Sequence, residues 1–405
     1  MLHARIRPRS PRPTVTTRCA LPVLLLTTIA AQTTHVVSGG GNALQNAING
    51  AAPGDILDVQ PGTYSAISTA KGVRVMLRAG ASIAAQQVQP FFAVTLSGLP
   101  AGQTFVLEGG EVLWGFQAQN CVGGIIWLGS HLRYLGSSFI NITLINCTGP
   151  VVAESLTTPN SGTIHGQLAV TDCTHVSFTN CPLPSTIVTR SEVSLVDSGA
   201  QWLFGFAPAL HLVSGSLLVA GGQFRHGIST LLINGPGILV EQGNLTLTRG
   251  AFVEASLNGI GGQPSASAID TLGGTVRLDP SVVLTGTVPI AGPAIVTNAF
   301  VPSIAANHAS GSPTCQFQIA AEPGSIVFTL ANLPHAPFGS PWGAIWLPSD
   351  SPILNATVLG AGGTHAFAWN LAGTVPPLLA LVAQSASLSM SNTVAVGAPV
   401  RFLWD

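Results

Sequence analysis

Charge is scarce in this 405-residue chain, where only 7% of residues are ionised Asp, Glu, Lys or Arg, against about 25% in an average soluble domain. Lysine occurs once, at Lys71, so exposed helices built on Lys and Glu are excluded as the main architecture. Five arginines (Arg5, Arg7, Arg9, Arg12 and Arg18) precede residue 19, which leaves nine Lys/Arg against fifteen Asp/Glu beyond residue 31, a balance of −6. A thin, mildly acidic charge distribution excludes the basic footprint of a nucleic-acid binder. Paired C-x-x-C spacings and histidine clusters are missing too, so no metal site is expected, and no cofactor motif is present.

Long apolar runs are also missing. The segment Ala20–Ala31 (ALPVLLLTTIAA) is shorter than the roughly 20 residues a membrane span needs. It follows the arginine-rich start and ends on small residues, the three-part pattern of a secretory leader. The expectation is a signal peptide over residues 1–31 and a secreted or cell-surface protein without a membrane span after its removal.

What the chain has instead is apolar residues at 46%, with 46 glycines and 29 prolines, arranged in a repeat. The phrase of an apolar residue, any residue, Asn or Asp, then Cys occurs at Leu144–Cys147, Val170–Cys173 and Phe178–Cys181, and more weakly at Ala118–Cys121. Aligning these phrases with the later runs at Gly215 and Gly243 makes Phe116, Ile142, Leu168, Val193, Leu217, Leu245 and Val276 equivalent, at spacings of 24 to 31. Self-similarity at this period signals a solenoid. Each unit holds short alternating runs of β-branched or leucine residues punctuated by Gly, Asn, Asp and Ser, which predicts coils of parallel strands.

Ahead of the repeat, Gly41–Ile48 reads as a short amphipathic helix, followed by Ala52-Pro53-Gly54-Asp55, a strand, and Pro61-Gly62-Thr63-Tyr64. That order resembles the N-terminal cap of the pectin lyase-like superfamily. The resemblance implies an all-β fold, a right-handed parallel β-helix of roughly ten coils over residues 32–295. It does not fix an activity, since one fold carries many functions. After residue 295 the period fades into alternating runs between Pro/Gly turns, which predicts an antiparallel β-sandwich over residues 296–405.

Candidate chemistry is sparse. Cys121, Cys147, Cys173, Cys181 and Cys315 are odd in number, so either a buried thiol ladder or one bridge among the first three fits. Arg225-His226-Gly227 resembles the Gly-His-Gly region of β-helix hydrolases, but the first glycine and the neighbouring aspartate phrases are absent. For a lyase, Arg190, Arg225 and Arg249 fall on neighbouring coils near Asp172, His175, Asp197 and Glu241. The catalytic candidates are therefore Arg225, His226, Arg190, Asp172 and His175. For glycan stacking the candidates are Trp342, Trp346 and Trp369, with His131, Arg133 and Tyr134 on one turn. Asn141, Asn146, Asn244 and Asn355 open glycosylation sequons. The expectation is a non-catalytic interaction, adhesive or structural protein whose partner is a polysaccharide or envelope component. The alternative is a carbohydrate-active enzyme, a polysaccharide lyase before a glycoside hydrolase.

Overall fold

The computed structural model describes residues 32–85, 92–133, 140–158, 166–202, 207–226, 235–256, 266–308, 312–332, 338–340, 343–345, 347–348, 350–371, 379–397 and 399–404. The chain winds into a parallel β-helix with three faces. A 14-stranded long sheet, a 10-stranded second sheet and a 5-stranded third sheet run along it. One coil shows the order: Gly166–Thr171 lies in the second sheet, Val176–Thr179 in the long sheet, and Pro182–Leu183 in the third. The next coil begins at Ser185–Thr189, beside Gly166–Thr171.

Alternating side chains explain the interior. Phe116, Ile142 and Leu168 stack in register in the second sheet, while Val176, Val193, Leu217, Leu245 and Val276 stack in the long sheet. All of these side chains are buried in one continuous core. The repeat alignment therefore shifts between sheets. Leu168 faces Thr186, not Val193. The cause is a short coil in which Pro184 alone links the third-sheet strand Pro182–Leu183 to Ser185–Thr189.

Connections differ by edge. Between second and long sheets a single residue, Arg190, can suffice. Between long and third sheets Asn180-Cys181 or Asp197-Ser198 do so. From third sheet to second, the connection grows from Pro184 to the whole of residues 255–268.

Helix Ala43–Gly50 caps the N-terminal end with buried Leu44 and Ile48. Asp55 ties the first turn: its carboxylate accepts hydrogen bonds from Thr33 N (3.1 Å) and Ala52 N (2.9 Å) and meets His35 Nε2 at 2.9 Å. The His35 side chain and the two amides hold its pKa below the ordinary carboxylate value. A carboxyl whose folded pKa is depressed stabilises the fold above its unfolded pKa, and that contribution is lost as pH falls through the folded value. Asp55→Asn is accordingly expected to lower the melting temperature at neutral pH and to flatten the acid limb of a melting-temperature profile between about pH 2 and 7. An unchanged acid limb would contradict this role.

Parallel pairing ends with Ile295–Asn298, and antiparallel pairing begins with Ser303–His308. Three strands (Ser303–His308, Thr314–Ala320 and Thr364–Asn370) form one sheet. Five more, around Ile326–Asn332 and Leu379–Leu388, form the other. Phe317, Ile319, Val327, Leu381 and Phe402 fill the space between them. Among the described residues no helix is long and apolar enough to cross a membrane.

Candidate functional site

Each sharp corner of the β-helix needs a residue in the left-handed region, which Asn and Asp tolerate best after glycine. Asn120, Asn146, Asp172 and Arg190 occupy it between second and long sheets, at φ of 53°, 55°, 54° and 46°. Ser155, Asn180, Asp197, Gly221 and Arg249 occupy it between long and third sheets, at 52°, 51°, 47°, 74° and 56°. The residue after the bend satisfies the carbonyl before it. Cys121, Cys147 and Cys173 each donate Sγ–H to the carbonyl two residues back, at 3.3 to 3.5 Å. Ser191 Oγ does the same to Thr189 O at 2.8 Å. On the other edge Cys181 and Ser198 reach Thr179 O and Val196 O. The repeated Asn/Asp-Cys phrase is thus a corner device used on both edges. All five described cysteines are buried free thiols, and burial pushes Cys181 and Cys315 up to about 12.

The corner between long and third sheets carries a pronounced concavity. A cleft of about 470 Å³ is floored by Glu154, Ser155, Asn180, Asp197 and Arg249, and walled by Asn307, His308 and Phe402 of the sandwich. A second cleft of about 580 Å³ continues onto the third sheet, past Thr157, Thr158, Gln223 and Arg225. The two share Ser155, Asn180 and Asp197, so they form one groove along the helix edge.

Electrostatics in the groove is balanced by pairing. Arg249 Nη2 reaches Asp197 Oδ2 at 2.9 Å, bridging across Gly221, where an added Cβ would strike the Asp197 carboxylate. Arg225 Nε lies 3.3 Å from Glu254 Oε2, and its guanidinium sits 5.2 Å above the Phe252 ring. Elsewhere, Arg74–Glu108, Arg78–Asp58, Arg133–Glu111 and Arg190–Asp172 pair in the same manner.

The residues singled out from sequence do not converge. Arg225 faces the groove, while His226, its neighbour on the third-sheet strand Gln223–His226, is buried beneath Gly235. Arg190 and Asp172 form a bidentate pair, at 2.6 and 2.7 Å, on the opposite corner. The strand Ser191–Val196 separates them from Asp197 by about 20 Å at strand rise. Arginine there holds the Asp172 carboxyl below its usual range. His175 is buried where its carbonyl accepts Val151 N. Glu241 meets His211 Nε2 at 2.8 Å near the second sheet.

Trp369 packs against the sandwich core, and Trp342, Trp346 and Tyr134 lie outside the described residues. His131 bonds Thr157 through Nδ1. Of the sequon asparagines, Asn146 donates to Asn120 Oδ1 at 3.2 Å in the opposite corner ladder. Glu154, Asn307 and His308 carried no signal in the sequence, because only the fold-back of the sandwich brings them together.

The architecture defines the class: a parallel β-helix with an appended antiparallel sandwich and a groove along one edge. The sequence matches no protein-family profile and no curated protein. Among solved structures it is similar to the enzymatically active domain of tailspike protein 2 from bacteriophage CBA120, at 10% identity and a TM-score of 0.42, covering 92% of this chain and 76% of that one.

Proposed function

We propose that this is an exported, non-catalytic β-helix protein that binds an extended polysaccharide along the groove between its long and third sheets. The observation that carries the reading is the continuity of the two clefts over successive coils. Coils repeat at about 4.8 Å, so hydroxyl, amide and paired charged groups recur along a linear path. A repeating, hydroxyl-rich polymer matches such a path better than a compact small molecule does. The arginine-rich leader supports export, and the helical cap supports kinship with the pectin lyase-like superfamily.

The pairing of the arginines favours binding over elimination chemistry. Both groove arginines are engaged by carboxylates, Arg249 with Asp197 and Arg225 with Glu254, an arrangement suited to holding sugar hydroxyls and not to removing a proton from a sugar carbon. Arg225→Ala with Gln223→Ala is expected to weaken polysaccharide binding at least tenfold, the scale of a lost charge-assisted hydrogen bond. Arg190→Ala on the opposite corner is expected to leave binding unchanged. Affinity electrophoresis or calorimetry over a polysaccharide panel checks both, and wild-type protein that retains no member of the panel would overturn the reading.

A second reading, a glycoside hydrolase, is favoured by the two carboxylates in the cleft. Glu154 is in register with Thr179 and through it with Val196, the residue before Asp197. That places the two backbones two coils apart, about 10 Å, with both residues lining the same cleft. Release of reducing ends that Glu154→Gln abolishes would establish it.

A further inference from the structure

Among the described residues, five charged side chains meet at the groove. Glu154, Asp197 and Arg249 line the first cleft and Arg225 the second, while Glu254 stands beside Arg225 on the next coil. Two arginines against three carboxylates leave a balance of −1. The other polar lining, His308 apart, is amide and hydroxyl, including Asn180, Gln223, Asn307, Ser155, Thr158 and Thr179.

Folding does not require charge at these places. The corner between long and third sheets is turned without charge by Ser155, Asn180 and Gly221, and with charge by Asp197 and Arg249. Asn serves a left-handed bend as well as Asp does. The side chains of Asp197 and Arg225 are 45% and 40% exposed, and ion pairs that open to water contribute little to stability. The contacts are nonetheless built in. On the coil between Asp197 and Arg249, the missing side chain of Gly221 leaves the carboxylate room to reach Arg249 Nη2 at 2.9 Å. Arg225 is steadied twice, by Glu254 at 3.3 Å and by the Phe252 ring under its guanidinium.

We propose, on the reading that this groove binds a polysaccharide, that Asp197 and Glu254 determine which kind. They occupy the two groove arginines, and so admit an uncharged polymer while turning away an acidic one. A uronate or sulfate group entering the groove has to displace a carboxylate fixed on the same scaffold, whose effective concentration a diffusing anion does not match. In the first cleft it also meets Glu154, and like charges set against each other reduce affinity. A sugar hydroxyl faces neither obstacle. Each guanidinium carries five N–H donors, more than one carboxylate takes up, so both arginines still donate to neutral oxygens.

Removing the two negative charges is expected to reverse the selection. Asp197→Asn keeps a residue suited to the bend, and Glu254→Gln keeps the length of the side chain. In calorimetry, wild-type protein is expected to bind neutral glucans or galactomannan and not polygalacturonate. Each variant is expected to raise affinity for polygalacturonate at least tenfold, the scale of one charge-assisted hydrogen bond, and the double variant to exceed both. The gain is expected to shrink as NaCl rises from about 50 to 500 mM, where exposed charges are screened. Asp172→Asn, which frees Arg190 on the opposite corner, is expected to gain nothing.

Tight binding of polygalacturonate by wild-type protein overturns the proposal and leaves the polysaccharide reading standing. Variants that gain no affinity for it, or an equal gain from Asp172→Asn, overturn the proposal as well. Wild-type protein that retains no polymer, with variants that do gain polygalacturonate, overturns the polysaccharide reading and leaves the charge filter in place.

Discussion

Phe116→Ala is expected to lower the unfolding free energy by about 3–5 kcal/mol, the usual cost of truncating a buried aromatic. Phe116 is 1% exposed and points inward from the second sheet. Its ring stacks on Trp127 of the long sheet across the core, with centroids 4.8 Å apart and planes at 20°. It also sits in the column between Val94 and Ile142. In a solenoid each coil is supported only by its neighbours. The cavity therefore weakens a coupling between coils as well as one contact. Chemical denaturation followed by tryptophan fluorescence and by circular dichroism measures both effects. A loss below about 1 kcal/mol would show that the site collapses around the smaller residue.

Gly222→Ala is expected to be nearly as severe for a different reason. Gly222 lies just after the corner at a φ of 81°, where an added Cβ would run into the Ser198 carbonyl of the preceding coil. That carbonyl is backbone and cannot swing away, and Ser198 itself ties the corner by accepting Cys181 N and donating to Phe178 O. Gly98 has a similar φ of 71° but nothing within 4 Å of the added methyl. Gly98→Ala should carry only the left-handed penalty of about 1–2 kcal/mol, whereas Gly222→Ala should lose about 3 kcal/mol or more. Equal losses in thermal denaturation would show that backbone conformation, and not the close approach of coils, sets the requirement for glycine.

The coiled β architecture was legible because its signals are local. Asn146-Cys147 and Asp172-Cys173 announce a left-handed bend followed by a side chain that satisfies the exposed carbonyl, and such bends must recur in every coil. The same locality misled the register. Asp172-Cys173 and Asn180-Cys181 read alike, yet they turn different corners of one coil. Leu168 was consequently aligned with Val193 across two sheets. The groove was the least legible feature. Asp197 and Arg249 are 52 positions apart in the sequence and meet only because the intervening coil offers glycine at the corner. Asn307 and His308 reach the cleft only by the return of the sandwich, for which no sequence period exists. Arg190 and Arg225 looked comparable in the sequence because coil membership could be read but the face of the coil could not.

The uneven distribution of connections bears on how such a chain can change. Two edges are turned by short bends, no longer than residues 98–103 on one and 279–282 on the other, while the third ranges from Pro184 alone to residues 255–268 without disturbing the stacked strands on either side. Mutational drift can therefore lengthen or replace segments along that one edge, leaving the scaffold's hydrogen-bond registers as they were. Foreign peptides grafted there would be displayed in a row at multiples of the coil rise, on the edge bounding the third sheet opposite the groove.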